Sequence, residues 1–357
     1  MSEMKEMIFE VVEKMFKNHV EKETVDLLED GKWVSDVWGI LQDNEMLNVA
    51  VAEQYGGAGG DLDDLFSLYK LVGKYAVPVP FVEHTLANVI LEKVGLTPST
   101  NKITVLIDEM QTLTLQADSV SGELYNVPWA RHVQELVTLA KNGQGLHIVK
   151  LSFARTSSIT PQSNLAAEPR DKVVFEQVQV LEQAVIDVQQ LTQILKLLTA
   201  ATVATMAGAI DKAYELTIRY SKEREQFGRP IHRFQLVQQH IAVLAGEAVL
   251  TDASVDNMIT ALAEGREQNE VAFARLRIDE SSKIVATSAH QVHAAIGVTH
   301  EHSLHQYTRR LWAWRDEGYT SLYWKKQMAQ TLLQSDMDLW TLMTQPKQMY
   351  ETQIGGI

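Results

Sequence analysis

The sequence predicts an α+β chain in three consecutive parts. These are an N-terminal helical domain over 1–100, a small middle β-domain over 101–182 and a C-terminal helical bundle over 183–357. Three observations predict this order. Apolar residues in the first part recur at threes and fours, the middle part breaks into short β-branched runs, and the last part opens on a proline-free stretch of about nine turns. A chain of 357 residues is long enough for two or three domains with a large core.

In the first part Met4, Met7, Ile8, Val11, Val12, Met15 and Phe16 fall on one helical face. The glycine loop "QYGGAGGDLDD" then runs into Asp61, a side chain suited to cap a helix, and "YAVPVPFVEH" supplies a second break. In the middle part "KITVLIDE" and "LTLQAD" are strand-like, and "ELVTLAKNGQGLHIVKL" reads as two strands joined at Asn142-Gly143. "RDKVVFEQVQV" closes that region. The last part begins with "QQLTQILKLLTAATVATMAGAIDKAYELTIRYSKER". Across the next helix Phe234, Val237, Ile241, Leu244, Ala248, Val255, Met258 and Leu262 form a seam suited to a bundle core or to a helical subunit interface.

Composition narrows the function. With 45% hydrophobic and 22% charged residues the chain is of ordinary globular type. A net charge of −14 argues against general nucleic-acid or anionic-membrane binding, though not against a local phosphate site. The absence of cysteine excludes disulfides, thiolate metal sites and Cys nucleophiles. No run approaches about 18 apolar residues, so no membrane span is expected. The acidic, amphipathic N-terminal stretch is unlike a targeting peptide, which leaves a cytoplasmic protein as the expectation. There is no G-x-G-x-x-G after a strand, no Walker loop and no G-x-S-x-G, so the common α/β nucleotide and hydrolase sites are not expected.

The stretch "YSKEREQFGRPIHRFQLVQQH" (220–240) interrupts two long helical patterns. One reading is a helix end with a Gly-Pro stop and solvated charges. The other is a ligand arm. Arg224 in the last turn projects a guanidinium fork suited to phosphate, Phe227 is an aromatic at a helix end, and Gln235 sits near the first turn of the next helix.

"SKEREQFGRPIHRFQLVQ" resembles the R-x-Q-F-G-x-P-I-x-x-F-Q signature of the acyl-CoA dehydrogenase family. "HQVHAAIGVTHEHSLHQYTRR" resembles that family's Q-x-x-G-G-x-G-x-T-x-E segment, "VAVAEQYGGAGGDLDDL" its N-terminal glycine loop and "VSGELYNVPWARHVQELVTLA" its β-domain core. The likeness covers nearly the whole chain, in the family's order. It implies an oligomeric flavoprotein, homomeric or paired with a homologous subunit. Its FAD lies between the β-domain and helices, with the adenine and pyrophosphate reaching across a subunit interface. The implied reaction is α,β-dehydrogenation of an acyl-CoA, with a Glu taking the α-proton and the flavin taking hydride. An electron-transfer flavoprotein is the implied acceptor. The implied cofactor residues are Arg224, Gln226, Phe227, Gln235 and Gln291, with Arg224 on pyrophosphate and Phe227 beside the adenosine.

The departures from the pattern are specific. The family's flavin-covering stretch, of the Y-A-x-T-E-P-x-A-G-S-D kind, is missing, because "EKVGLTPSTNKITVLIDE" passes straight into the first strand. The Trp-Ile-Thr/Ser element is absent as well. The family's base comes from one of two places. Counting back from Arg224, the first is Leu198, which cannot abstract a proton, with Thr199 where a substrate-binding Arg is expected. Counting forward from Arg309, the second falls on Gly318, one residue past Glu317. Glu317 is therefore the candidate base, with a solvated surface Glu as the bland alternative suggested by neighbouring Asp316. Ala294-Ala295 replace a Gly-Gly pair and are expected to keep the helix going. These losses point to a subunit that works with a homologous partner supplying the base. The alternatives are a self-sufficient homo-oligomer using Glu317 and a non-catalytic structural protein on this fold. Finally, His290, His293, His300, His302 and His305 would fall within about four turns if all were helical. Their spacing is not H-E-x-x-H, and no metal is expected.

Overall fold

The computed structural model describes residues 3–267, 269–334 and 340. The far end of the expected C-terminal bundle, and the side chains of Met4 and Met7, lie outside the described residues. The N-terminal part holds α1 (Glu3–His19), α2 (Lys22–Glu29), α3 (Ser35–Asp43), α4 (Leu62–Tyr75) and α5 (Phe81–Lys93). Asp61 caps α4 as expected. Its carboxylate accepts from the Asp64 N–H at 2.8 Å, and the Asp64 carboxylate accepts from the Asp61 N–H. Such a reciprocal cap stabilises a helix start by about 1 kcal/mol.

The middle part is one mixed sheet. Its strands are β1 (Ile103–Leu106), β2 (Leu113–Gln116), β3 (Ser119–Pro128), β4 (Glu135–Asn142), β5 (Gly145–Ser152), β6 (Ser158–Thr160), β7 (Arg170–Gln179) and β8 (Glu182–Ile186). The spatial order is β6-β7-β3-β2-β4-β5-β8, with β1 pairing β4 in parallel. The hairpin forms where Asn142 predicts it: Asn142 faces Gly145 across two turn residues. Strand structure continues to Ile186, and Asp187 then caps the next helix by accepting from the Gln190 N–H at 2.7 Å.

That helix, α6 (Val188–Glu223), is the axis of the molecule. A hairpin of β9 (Glu225–Gln226) and β10 (Arg229–Pro230) follows it. Then come α7 (Gln235–Ala263), α8 (Glu270–His293), α9 (Leu304–Asp316) and α10 (Ser321–Gln334). By length and composition α6 is apolar enough to cross a membrane, but 78% of that window is buried inside the chain. It packs most closely on α4. A methyl group on Gly73 would stand 1.7 Å from the Thr205 carbonyl oxygen, and one on Gly208 would stand 1.8 Å from that of Lys70. Glycine at both places lets the two backbones touch. The crossing holds the Leu198–Thr205 segment of α6 opposite α4 and α5, where a cavity lies.

Candidate active site

The interruption at 224–234 is a hairpin rather than the simple Gly-Pro helix stop. Arg224 leaves the helix with φ −74° and ψ 122°, and Gln226 then pairs with Arg229. Phe227 and Gly228 between them both have positive φ, 52° and 77°. Two such residues make the tight turn that suits paired strands. Glycine adopts this conformation freely, but for a bulky aromatic it is an outlier of the kind that collects at ligand sites. Phe227 is also 91% exposed, and its ring meets that of Phe234 edge to face at 6.1 Å. Arg224, Gln226 and Gln235 are all exposed beside it.

The second motif segment lies at the same end of the bundle. The Tyr220 ring stacks on His293 at 4.5 Å, seating the end of α8 against the end of α6. Gln291 is exposed on the last turn of α8. The expectation that Ala294-Ala295 would continue the helix is overturned: α8 ends at His293, and Ala294 takes φ 53° and ψ −139°. Alanine therefore holds a backbone shape that glycine favours, at a cost on the order of 1–3 kcal/mol. The histidines consequently do not share one helix. Burial pushes His293 down to about 4, so it packs as a neutral ring. Among the described residues no group of three or more His, Asp or Glu is placed to hold a metal ion.

The base candidates lie elsewhere, in a cavity of about 470 Å³ between α4, α5, the sheet, α6 and the turn after α9. Leu198, Thr199, Glu317 and Gly318 all line it, so the two places where a base was sought converge on one space. The exposed turn expected at Asp316-Glu317 divides. Both residues border the cavity, but the Asp316 carboxylate is 69% exposed and pairs with Arg315, while the Glu317 side chain is 30% exposed and is held against the wall. One Glu317 oxygen accepts from Arg170 Nε at 3.0 Å and Nη2 at 2.9 Å, and the other accepts from Asn164 Nδ2 at 2.7 Å. Arg170 also donates to Glu168 and to the Pro169 carbonyl. Burial alone would raise the Glu168 carboxyl, but Arg170 and Arg310 hold it below the usual carboxylate range. Arg275, the cavity's other guanidinium, donates to Asp279 and to the carbonyls of Trp314 and Arg315.

One cavity residue, Glu83, had escaped the sequence reading. It stands in the first turn of α5, a helix whose residues from His84 to Leu91 are all buried. Its carboxylate accepts from the Trp129 indole at 3.1 Å. Burial raises Glu83 to about 7, against the opposing pull of Arg170. Trp129 is itself at φ 58°, a second bulky residue held in a strained conformation at a site wall. The available signal was a lone acid in an otherwise apolar run, "VPVPFVEH".

Residues 2–95 match the model of the acyl-CoA dehydrogenase N-terminal domain, and residues 189–315 match that of the C-terminal domain. The chain belongs to the acyl-CoA dehydrogenase family. It is 27% identical over 318 residues to acyl-CoA dehydrogenase IpdE2 of Mycolicibacterium smegmatis, covering 87% of this chain and 93% of that protein. It is 26% identical to acyl-CoA dehydrogenase IpdE2 of Mycobacterium tuberculosis, covering 86% and 91%. A chain of the ChsE4-ChsE5 complex from Mycobacterium tuberculosis shares the fold with a TM-score of 0.86 at 18% identity, over 94% of this chain and 99% of that one. The three-part α+β architecture is thus the acyl-CoA dehydrogenase fold.

The family implies FAD, and the two regions differ in how they suit it. The arm offers a guanidinium, two amides and an exposed ring, a set that fits a diphosphate joined to a flat heterocycle. Both guanidiniums of the cavity are engaged internally, so the cavity is poor in donors for a diphosphate.

Proposed function

We propose that this chain is one subunit of a heteromeric acyl-CoA dehydrogenase. The assembly carries out FAD-dependent α,β-dehydrogenation of an acyl-CoA thioester, and a homologous partner subunit supplies the base. The observation that carries the unlike partner is the lack of a free base at either expected place in this chain, where Leu198 cannot accept a proton and Glu317 is engaged by Arg170 and Asn164. The separation of the two regions along one helix supports a cofactor shared between subunits. From Leu198 to Arg224 is 26 residues of α6, or about 39 Å at 1.5 Å per residue. That span exceeds the length of an extended FAD, so a cofactor seated in this chain's own cavity does not reach its own arm. The arm is left to serve a cofactor held mainly by another subunit.

In that assembly Arg224 pairs with the diphosphate, Phe227 packs beside the adenosine, and Gln226, Gln235 and Gln291 donate amide hydrogen bonds. Bound FAD supplies the hydride acceptor, and an electron-transfer flavoprotein then takes the electrons. Within this chain Leu198 cannot accept a proton, and Glu317 is engaged by Arg170 and Asn164. The ChsE4-ChsE5 neighbour is itself a complex of two named chains, which agrees with a two-subunit arrangement.

One observation favours the second reading, a self-sufficient homo-oligomer: Glu317 faces the same cavity as Leu198 and Thr199. The two readings separate in a complex co-expressed with a longer homologous subunit. Arg224→Ala in this chain should weaken FAD retention by about 10- to 100-fold, the usual cost of a charge-assisted hydrogen bond. Glu317→Gln should leave turnover within about twofold, whereas loss of a general base costs at least about 10²-fold. Unchanged FAD retention in the first variant, or collapse of turnover in the second, would contradict the heteromeric reading.

A further inference from the structure

The tip of the β4–β5 hairpin carries Asn142-Gly143, the one Asn-Gly pair in the sequence. The Asn142 side-chain oxygen, Oδ1, accepts from the Gln144 N–H at 2.8 Å and lies 3.1 Å from His147 Nε2. A backbone N–H needs an acceptor, which fixes that atom as the amide oxygen rather than its nitrogen. His147 Nε2 therefore carries a hydrogen and donates to the same oxygen. His147 is 4% exposed, and its strand is paired on both sides, with Ala140 and Val185 opposite it, so the ring is held in place. Two fixed donors thus converge on one amide oxygen. Such an arrangement stabilises negative charge that develops on the oxygen when its carbon is attacked.

The attacking group is the next backbone nitrogen. Gly143 is exposed, and among the described residues its N–H makes no hydrogen bond that would hold it back. It has no side chain to hinder the approach, and a methyl group placed there would meet nothing within 4 Å. Asn142, Gly143, Gln144 and His147 line one recess at the surface, so water reaches the reacting carbon. The exposed Asn101, Asn126 and Asn257 lack this setting: each is followed by a larger residue, Lys102, Val127 or Met258.

We propose that Asn142 is a self-modifying site, which the folded hairpin converts to aspartate and isoaspartate with His147 and Gln144 as the oxyanion donors. The Gly143 nitrogen gives its proton to hydroxide and forms a bond to Asn142 Cγ. The carbonyl electron pair moves onto Oδ1, between the two donors. As the pair returns, the bond from Cγ to Nδ2 breaks, and the amide nitrogen takes a proton from water and leaves as ammonia. The cyclic imide so formed adds water at one carbonyl or the other and opens to aspartate or isoaspartate. The net change consumes one water and releases one ammonia, with no oxidant or reductant. Aspartate keeps an acceptor for both donors, whereas isoaspartate lengthens the backbone and breaks the pairing of Asn142 with Gly145. The reaction involves neither flavin nor partner subunit, so it stands apart from the functional reading.

The test follows the full chain by peptide mass spectrometry during incubation at a mildly alkaline pH, folded and in urea. Asn142 should be converted at least about ten times faster than Asn101, Asn126 or Asn257, and at least about threefold faster in the folded chain than in the unfolded one, because the donors are in place only in the fold. An ordered hairpin without such donors would instead protect its asparagine. His147→Phe should slow the folded reaction by about fivefold or more, the loss of one donor to a developing charge. Gly143→Ala should keep the thermal melt and suppress the reaction by about tenfold, by crowding the nitrogen. Faster conversion in urea than in the fold, an equal or faster rate in His147→Phe, or an unchanged rate in Gly143→Ala would each overturn the assignment. Should His147→Phe fail to fold, the comparison with urea and the Gly143→Ala rate decide it.

Discussion

Replacing Arg170 by Met tests the electrostatics of the cavity directly. The guanidinium is 8% exposed and donates to Glu317 at 3.0 and 2.9 Å, to Glu168 at 3.3 Å and to the Pro169 carbonyl at 2.9 Å. Removing one partner of a buried pair typically costs about 3–5 kcal/mol. Here Glu168 keeps Arg310 and the Trp314 indole, and the Glu317 side chain is 30% exposed. Both facts place the expected loss at the lower end, about 3 kcal/mol at pH about 8. The loss depends on pH with a definite sign. Without Arg170 the carboxyls of Glu83 and Glu168 titrate at higher pH in the folded state, because the guanidinium that favours their charged forms is gone. The variant then recovers stability as pH falls and those groups take up protons. Urea unfolding of both proteins at pH about 8 and about 5 measures the difference. Adding Glu317→Gln to the variant should return part of the loss, because a neutral amide replaces an unpaired carboxylate while Asn164 remains to hold it. A loss below about 1 kcal/mol at pH about 8, or one that grows on acidification, would refute this account of the site.

Two further outcomes follow from strained or titrating residues. Phe227→Gly should raise thermal stability, since glycine adopts φ 52° without strain, while weakening FAD retention in the co-expressed complex. A thermal melt with flavin fluorescence reads both, and a fall in stability would show that the turn is not strained. Glu83→Gln should change the stability profile with pH. The folded-state value of about 7 lies above the unfolded value near 4.3. Wild-type stability therefore falls as pH rises through that window, by at most about 4 kcal/mol. The variant should lack that fall and be the more stable protein at pH about 8, and chemical denaturation across the window would expose an unaltered slope.

Local patterns carried much of the fold. The Asn142 hairpin, the Asp61 cap and the long run of α6 are written in spacing and in turn or cap chemistry, and each formed where that chemistry stands. The turn at Phe227-Gly228 was harder to read, because its geometry favours Asn or Gly at the place where Phe stands. At Ala294 alanine's helix propensity points one way and the surrounding packing imposes another. The cavity was least legible. Glu317 meets an arginine 147 residues away, and Glu83 meets an indole 46 residues away. No local pattern joins such partners, so the sequence named Glu317 without its tether and passed over Glu83 altogether.

The central claim is that this chain's arm serves a flavin held by another subunit. The most direct measurement is the FAD content of the purified chain, alone and after co-expression with a longer homologous subunit. The account predicts no stoichiometric flavin in the chain alone and about one FAD for each pair of unlike subunits in the complex. A full flavin load on the chain alone would contradict it.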